Sequence, residues 1–211
     1  VRIAGWLDGW LYRRPFTGAS ARRYSARERP AFGDLDDRLL RRWQPDLAAA
    51  RVIVDLGAGP GTVGAALRRA HPEACVIDVE PSADFAAPRG LRVRARAEAL
   101  PFATGTVDAA VSVSAIRHVR DRLAALAELR RVVRPGGVVW LVELDPDASA
   151  ARVRTHADGL ASRWLSAAFG PLVVATAPTA AQIAAAATRA GWDTVAREDD
   201  LHQPVYLLRL G

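Results

Sequence analysis

Short apolar runs alternating with segments of helical periodicity constrain this chain more than any other feature. Val52-Ile53-Val54, Ala74 to Val79, Leu91 to Ala95, Val107 to Val113 and Val138 to Leu144 read as strands. Thr62 to Ala70 reads as a helix between the first two. Leu123, Leu126, Ala127, Leu129 and Val133 mark a longer helix, which Pro135-Gly136-Gly137 stops. Val138 to Leu144 is apolar on both faces, as a strand buried in the middle of a parallel sheet must be. Strands and helices alternating at this spacing predict an α/β architecture: a doubly wound, mostly parallel seven-stranded sheet with helices on both faces. Trp192 to Arg197 and Pro204 to Leu210 supply the last two strands. Their short connection predicts a hairpin, so at least one of them runs antiparallel to the sheet.

The flanks are less regular. Ile3, Trp6, Leu7, Trp10 and Leu11 recur at helical spacing, and Pro15 ends that helix. A second helix spans Asp34 to Trp43, with Asp34 as its cap and Leu35, Leu39, Leu40 and Trp43 facing inward. Further helices fall around 150–168 and 180–190. The length suits one domain over 1–211: an N-terminal helical lid over 1–49, a ligand-binding core over 50–145, and C-terminal helices with the closing hairpin over 146–211.

Net charge is +6, but the distribution says more than the total. Residues 1–33 carry seven arginines against Asp8 and Glu28, and so hold +5 of it. All the fixed cationic side chains are arginine, and lysine, asparagine and methionine are absent, a pattern of GC-rich coding. A basic surface confined to one end argues against a nucleic-acid partner. The N-terminal arginines suit an anionic substrate or weak contact with an anionic membrane surface. No apolar run is long enough to span a bilayer and no secretory leader opens the sequence, so a cytoplasmic location is expected. The single cysteine, Cys75, excludes disulfide frameworks and multi-cysteine metal sites, and no metal is expected. Its apolar surroundings predict a small buried strand residue. His71, before Pro72, is expected at the surface.

The first strand runs into Asp55-Leu56-Gly57-Ala58-Gly59-Pro60-Gly61 and then a helix. Glycines there let the backbone turn sharply and approach a ligand with no Cβ in the way. The helix that follows offers unpaired N–H groups and a partial positive charge. The overlapping Gly59-Pro60-Gly61-Thr62-Val63-Gly64 is a formal G-x-G-x-x-G, so the loop by itself equally permits a nicotinamide or flavin dinucleotide. Glu80 ends the second strand nineteen residues past Gly61 and can accept from both hydroxyls of a ribose. Asp78 is the competing acid on the same strand face; Glu80 is preferred because it stands at the strand's mouth, beside Pro81-Ser82.

Six segments then appear in order: Val54 to Gly61, Val79-Glu80-Pro81-Ser82, Ala97-Glu98-Ala99-Leu100-Pro101-Phe102, Val107 to Ser112, His118-Val119, and Leu129 to Gly137. Together they resemble the class I S-adenosylmethionine-dependent methyltransferase family, in its ubiquinone/menaquinone-biosynthesis-type branch. The resemblance covers roughly residues 50–145. It implies a Rossmann-like methyltransferase fold, S-adenosyl-L-methionine as methyl donor with S-adenosyl-L-homocysteine as product, and a small-molecule methyl acceptor. It further implies that Asp55, Gly57, Ala58, Gly59 and Gly61 hold the methionine part and that Glu80 and Pro81 border the ribose. Ala97 and Glu98 would lie beside the adenine, with Leu100 or Phe102 as an apolar wall, and Ser112 and Ser114 beside the methyl group. Members often carry Asp before the Ala-Glu pair; Arg96 stands there in this chain and cannot accept a hydrogen bond.

Methyl transfer from a sulfonium is an in-line displacement, for which alignment and exclusion of water suffice unless the acceptor must lose a proton. His118 is the candidate base, just beyond the fourth strand. Tyr24, amid Arg22, Arg23 and Arg27, is the candidate aromatic at the ligand, with Phe32, Trp6 and Trp10 completing a lid. Glu143 and Asp145 end the fifth strand and can point into the pocket, cap the next helix or face solvent. No Asp/Asn-Pro-Pro-aromatic run follows the fourth strand, which argues against methylation of nucleobase amino groups. Cys75 is in the wrong strand to be a cytosine nucleophile. The other readings are a nicotinamide-dependent oxidoreductase of the same architecture and a non-catalytic binding subunit.

Overall fold

The computed structural model describes residues 18–25, 33–85, 90–160, 166–167 and 169–211. Two helices, α1 (Gly18–Ser25) and α2 (Leu35–Leu47), precede β1 (Val52–Leu56), α3 (Thr62–Ala70), β2 (Cys75–Val79), β3 (Leu91–Val93) and β4 (Val107–Val113). After a 3₁₀ turn over Ile116–His118 come α4 (Arg122–Val132), β5 (Val133–Leu144), α5 (Ala150–Asp158), a π-helical segment over Phe169–Val174, α6 (Ala180–Arg189), β6 (Val195–Asp199) and β7 (Val205–Leu210). The segment 1–17, with Trp6 and Trp10, lies outside the described residues, as does Phe32. Tyr24 falls within α1, but its side chain lies outside the described residues.

The seven strands form one sheet in the order β3-β2-β1-β4-β5-β7-β6. β1 pairs in parallel with β2 and with β4, and β4 in parallel with β5. β7 is antiparallel to β5 and to β6, with Glu143 opposite Tyr206. The predicted sheet is therefore the observed one, the closing hairpin supplying its antiparallel part. The central strands are continuous apolar runs because both faces are covered. Val54, Ala110, Leu141 and Leu208 face one way, into a core shared with Leu126 and Leu129 of α4 and Ile183 of α6. Ile53, Ala109, Trp140 and Leu207 face the other way, against Leu39 and Trp43 of α2, Leu67 of α3 and Phe169. Alternate residues of each strand thus enter opposite cores, as the two-residue period requires. Truncating a fully buried member such as Leu141 to Ala would cost about 2–5 kcal/mol.

Several local expectations are corrected. α2 continues one turn beyond Trp43, through Pro45, because its end is anchored from outside: Asp46 accepts from Trp140 Nε1 at 2.9 Å and from Arg209 at 2.8 and 2.9 Å. Asp34 makes no side-chain cap and instead pairs with Arg38. Leu40 is only half-buried, and Leu47 takes the inward place. β5 begins directly at Val133, so Pro135-Gly136-Gly137 lies inside it as an irregularity: its partners jump from Val107↔Val133 to Ala109↔Val138. Cys75 is in a strand but exposed, being its first residue, ahead of the stretch that pairs with β3. His71 is buried rather than at the surface, because the turn after α3 folds back, with Ala74 N–H bonded to the His71 carbonyl at 3.0 Å. Burial holds its imidazole below the usual histidine range.

Candidate active site at the sheet's switch point

The chain lays down β1, β2 and β3 toward one edge, then crosses back to place β4 on the other side of β1. The loops after β1 and β4 diverge there, leaving a crevice at the carboxyl ends of the strands. A cavity of about 1050 Å³ occupies that place. This is at the upper end for a small-molecule site and leaves room for more than one ligand.

The loop after β1 forms one wall. Gly57 and Ala58 donate their N–H groups to the Val79 carbonyl at 2.8 and 3.1 Å, which lays the loop across the mouth of β2. Gly57 and Gly59 have φ of +72° and +52°. A side chain at Gly57 would also put its Cβ 2.4 Å from that of Ala115, so the position requires glycine twice over. Gly57, Ala58 and Gly59 line the cavity; Gly61 sits behind it, as the left-handed residue that caps α3. Asp55 reaches under the loop and accepts from Gly64 N–H at 2.9 Å. It is buried, and desolvation with the nearby Asp78 charge pushes its carboxyl up to about 7.

Glu80 stands at the mouth of β2 and lines the cavity. One carboxylate oxygen accepts from Gly59 N–H at 2.9 Å, the other from Ser82 N–H at 2.8 Å. Asp78 is fully buried, is not part of the cavity wall, and is paired with Arg68 at 2.6 Å. The two acids on one strand thus separate into a cavity residue and a structural one. Residues 81–85 turn without forming a helix, and Phe85 closes over the loop.

Farther along, Ala97 and Glu98 line the same wall. Arg96 folds onto Glu98 at 3.1 Å. Burial would raise the Glu98 carboxyl, but the bonds from Arg96 and from backbone N–H groups hold it below the usual range. Leu100 and Phe102 point into the hydrophobic core and do not line the cavity, because the turn closed by Ala99 N–H to the Arg96 carbonyl directs them inward. Ser112 and Ser114 follow at the end of β4, both lining the cavity. Ser114 has φ of +53°, the sole positive value of a non-glycine among the described residues, and its N–H is bonded to the Val142 carbonyl at 2.7 Å. Such strain concentrates at functional sites. The hydroxyls of both serines are shielded from solvent and have no hydrogen-bond partner in the protein. Satisfied polar atoms are the rule in protein interiors, so these two mark a place where a ligand is expected.

A methyltransferase-domain family model matches residues 54–141. Over 131 residues, 52% of this chain and 55% of the other, the sequence is 36% identical to a ubiquinone/menaquinone biosynthesis C-methyltransferase of Syntrophotalea carbinolica. Over 101 residues, 43% of this chain and 40% of the other, it is 38% identical to an uncharacterized methyltransferase of Mycobacterium sp. (strain KMS). The fold is shared with a crystal structure of a SAM-dependent methyltransferase from Aquifex aeolicus, at a TM-score of 0.69 and 12% identity, covering 91% of this chain and 96% of the other. Residues 54–141 thus match a methyltransferase domain, and the relatives and the shared fold support the class I S-adenosylmethionine-dependent methyltransferase family. The chain spans about half the length of the curated relatives it matches.

The same cavity is also lined by Leu144, His156, Leu160 and the π-helical segment, through Phe169, Leu172 and Val173. His156 is buried, stacked on Phe169 with ring centroids 4.4 Å apart, and its Nδ1 lies 2.6 Å from Gln203 Oε1. These residues come from three elements of the C-terminal third, and no local pattern announces them. Arg117 ties the segment down by donating to the Val173 carbonyl at 2.8 Å. His118 lines the cavity, but burial and the flanking Arg117 and Arg122 charges push its imidazole down to about 3. Glu143 and Asp145 neither line the cavity nor reach solvent. Glu143 accepts from Arg117 N–H at 3.2 Å, and Asp145 pairs with Arg197 at 3.2 Å. Both are drawn into the core because β7 covers the end of β5. Among the described residues no helix is long and apolar enough to cross a membrane, and no group of acids, histidines and cysteines could hold a metal ion.

Proposed function

We propose that this chain transfers a methyl group from S-adenosyl-L-methionine to a small organic molecule at O, N or C. One observation carries the reading: five of the six segments that resemble the family contribute to the lining of one cavity, which also holds two partnerless serine hydroxyls. The residues present fit the donor's chemistry. Glu80, with acceptor capacity left after its two backbone bonds, suits the ribose hydroxyls. Asp55 and the backbone of Gly57, Ala58 and Gly59 suit the methionine part, with Gly61 acting through the turn it permits. Pro81 borders the ribose with Glu80, and Ala97 and Glu98 border the adenine, from whose amino group Glu98 accepts a hydrogen bond. When bound, this cofactor supplies an electrophilic methyl on a sulfonium, in line for an acceptor's lone pair.

The protein's own contribution is alignment and dryness. Ser112 and Ser114 line the same cavity and fix the approach of the two ligands. Leu160, Phe169, Leu172 and Val173 exclude water from the acceptor side. His118 is neutral at physiological pH, with one ring N–H and one ring lone pair; it serves by hydrogen bonding, orienting the acceptor rather than taking up its proton. The acceptor side of the lining, being mostly apolar, suits a small molecule.

Isothermal titration with adenosylmethionine, adenosylhomocysteine and NADH tests the reading. Binding of the first two without the third is expected. Tight NADH binding with no response to the others would replace the reading by an oxidoreductase, and no binding of any by a scaffold.

A further inference from the structure

The residue Gly59 is gripped by side chains on both of its peptide groups. On its amino side, its N–H is held by Glu80 at 2.9 Å. On its carboxyl side, Arg92 Nη2 donates to its carbonyl at 2.6 Å. Arg92 comes from β3, so this bond crosses from the third strand of the sheet to the loop after the first. Its guanidinium lies 3.6 Å from the buried Asp78 carboxylate, which Arg68 engages from the other side at 2.6 Å. A buried carboxylate needs such partners to stay charged, and here it anchors one of them toward the loop.

We infer that Arg92 is a positioning residue for the cofactor loop, locking Gly59 in its bound-state conformation before the ligand arrives. The inference rests on reading that loop as the adenosylmethionine site. Three glycines of the loop, Gly57, Gly59 and Gly61, have positive φ, and an untethered glycine-rich loop samples many conformations. For a ligand that needs one of them, the apparent dissociation constant rises as the inverse of the fraction of molecules already in that conformation. A tether at each side of Gly59 raises that fraction. One nitrogen, Arg92 Nη2, lies near both the carbonyl and the carboxylate, and the rigid planar guanidinium holds it there, whereas a lysine ammonium sits on a flexible stem. No donor atom of Arg92 needs to touch the ligand.

The control is Arg68. It makes the shorter bond to Asp78 and has no bond to the loop. Adenosylhomocysteine affinity is measured by calorimetry for the unaltered protein, Arg92→Met, Arg92→Lys and Arg68→Met, with melting midpoints recorded for each. Arg92→Met is expected to bind about tenfold more weakly, the low end of the effect of losing one charged hydrogen bond. Arg68→Met should stay within about threefold, and Arg92→Lys should fall between. Amide exchange at Gly59 should quicken in Arg92→Met and not in Arg68→Met. Unchanged affinity in Arg92→Met overturns the inference. So does an equal loss in Arg68→Met at a similar melting midpoint, because the effect would then belong to Asp78 and not to the loop. If Arg92→Met does not fold, Arg92→Lys decides by the same comparison. Failure of the unaltered protein to bind adenosylhomocysteine is a separate result, which removes the proposed function and this inference with it.

Discussion

Replacing Asp55 by Asn should make the protein's stability less sensitive to pH, and in a calculable way. In the fold, burial and the neighbouring Asp78 charge push the Asp55 carboxyl from 3.8 up to about 7, against the opposing bond from Gly64 N–H. Below about pH 4 the carboxyl is protonated in both the folded and the unfolded chain, and its contribution is fully present. Between about 4 and 7 the folded protein keeps a proton that the unfolded chain has lost, so stability falls as pH rises. Each pH unit in that window costs about 1.4 kcal/mol, and the whole window about 4 kcal/mol. Asn keeps a carbonyl oxygen for Gly64 but does not titrate. Urea denaturation of both proteins at pH 4.5, 5.5, 6.5 and 7.5 separates this residue from all others. The stability of Asp55→Asn relative to the unaltered protein should grow by about 3 kcal/mol from the lowest pH to the highest. A difference that stays flat across the range would refute the reasoning, since Asp55 would then be ionised in the fold throughout. A difference that shrinks would reverse its sign.

Three further outcomes follow from the same geometry. Glu80→Ala should weaken adenosylhomocysteine binding by about 1.5–3 kcal/mol by calorimetry, the range for a charge-assisted hydrogen bond; unchanged affinity would point to another acid. Gly64→Ala should destabilise the fold by about 1–3 kcal/mol in chemical denaturation, although alanine favours helix, because the new Cβ would fall 2.0 Å from Asp78 Oδ1. A more stable variant would mean that Asp78 moves freely. The His118 ring should show no protonation in an NMR titration from pH 8 to 5, since burial with Arg117 and Arg122 holds it down to about 3; a transition near 6.5 would place it in solvent.

What the sequence determined alone is the sheet and one half of the cavity. Strands β1, β2, β4 and β5 are buried on both faces, so their apolar runs are continuous and stand out without context. The glycine loop, Glu80, the Ala97-Glu98 pair and the serines of β4 were legible for a related reason: each lies at a strand's end, and in this architecture strand ends face the ligand crevice by topology. Choosing Glu80 over Asp78 needed only the position of the strand's mouth. The tertiary structure alone decided which side chains near those ends turn inward. Leu100, Phe102, Glu143 and Asp145 all sit beside cavity residues in sequence, yet packing against the core and under β7 takes them out of it. The opposite holds for His156 and Phe169, which the chain separates and the fold joins at the cavity wall, with Gln203 bonded to His156 behind them. The reach of Arg92 across two strands to Gly59 is of the same kind. A hydrogen bond between residues distant in sequence leaves no periodicity to read; it exists only once the sheet has set the distance.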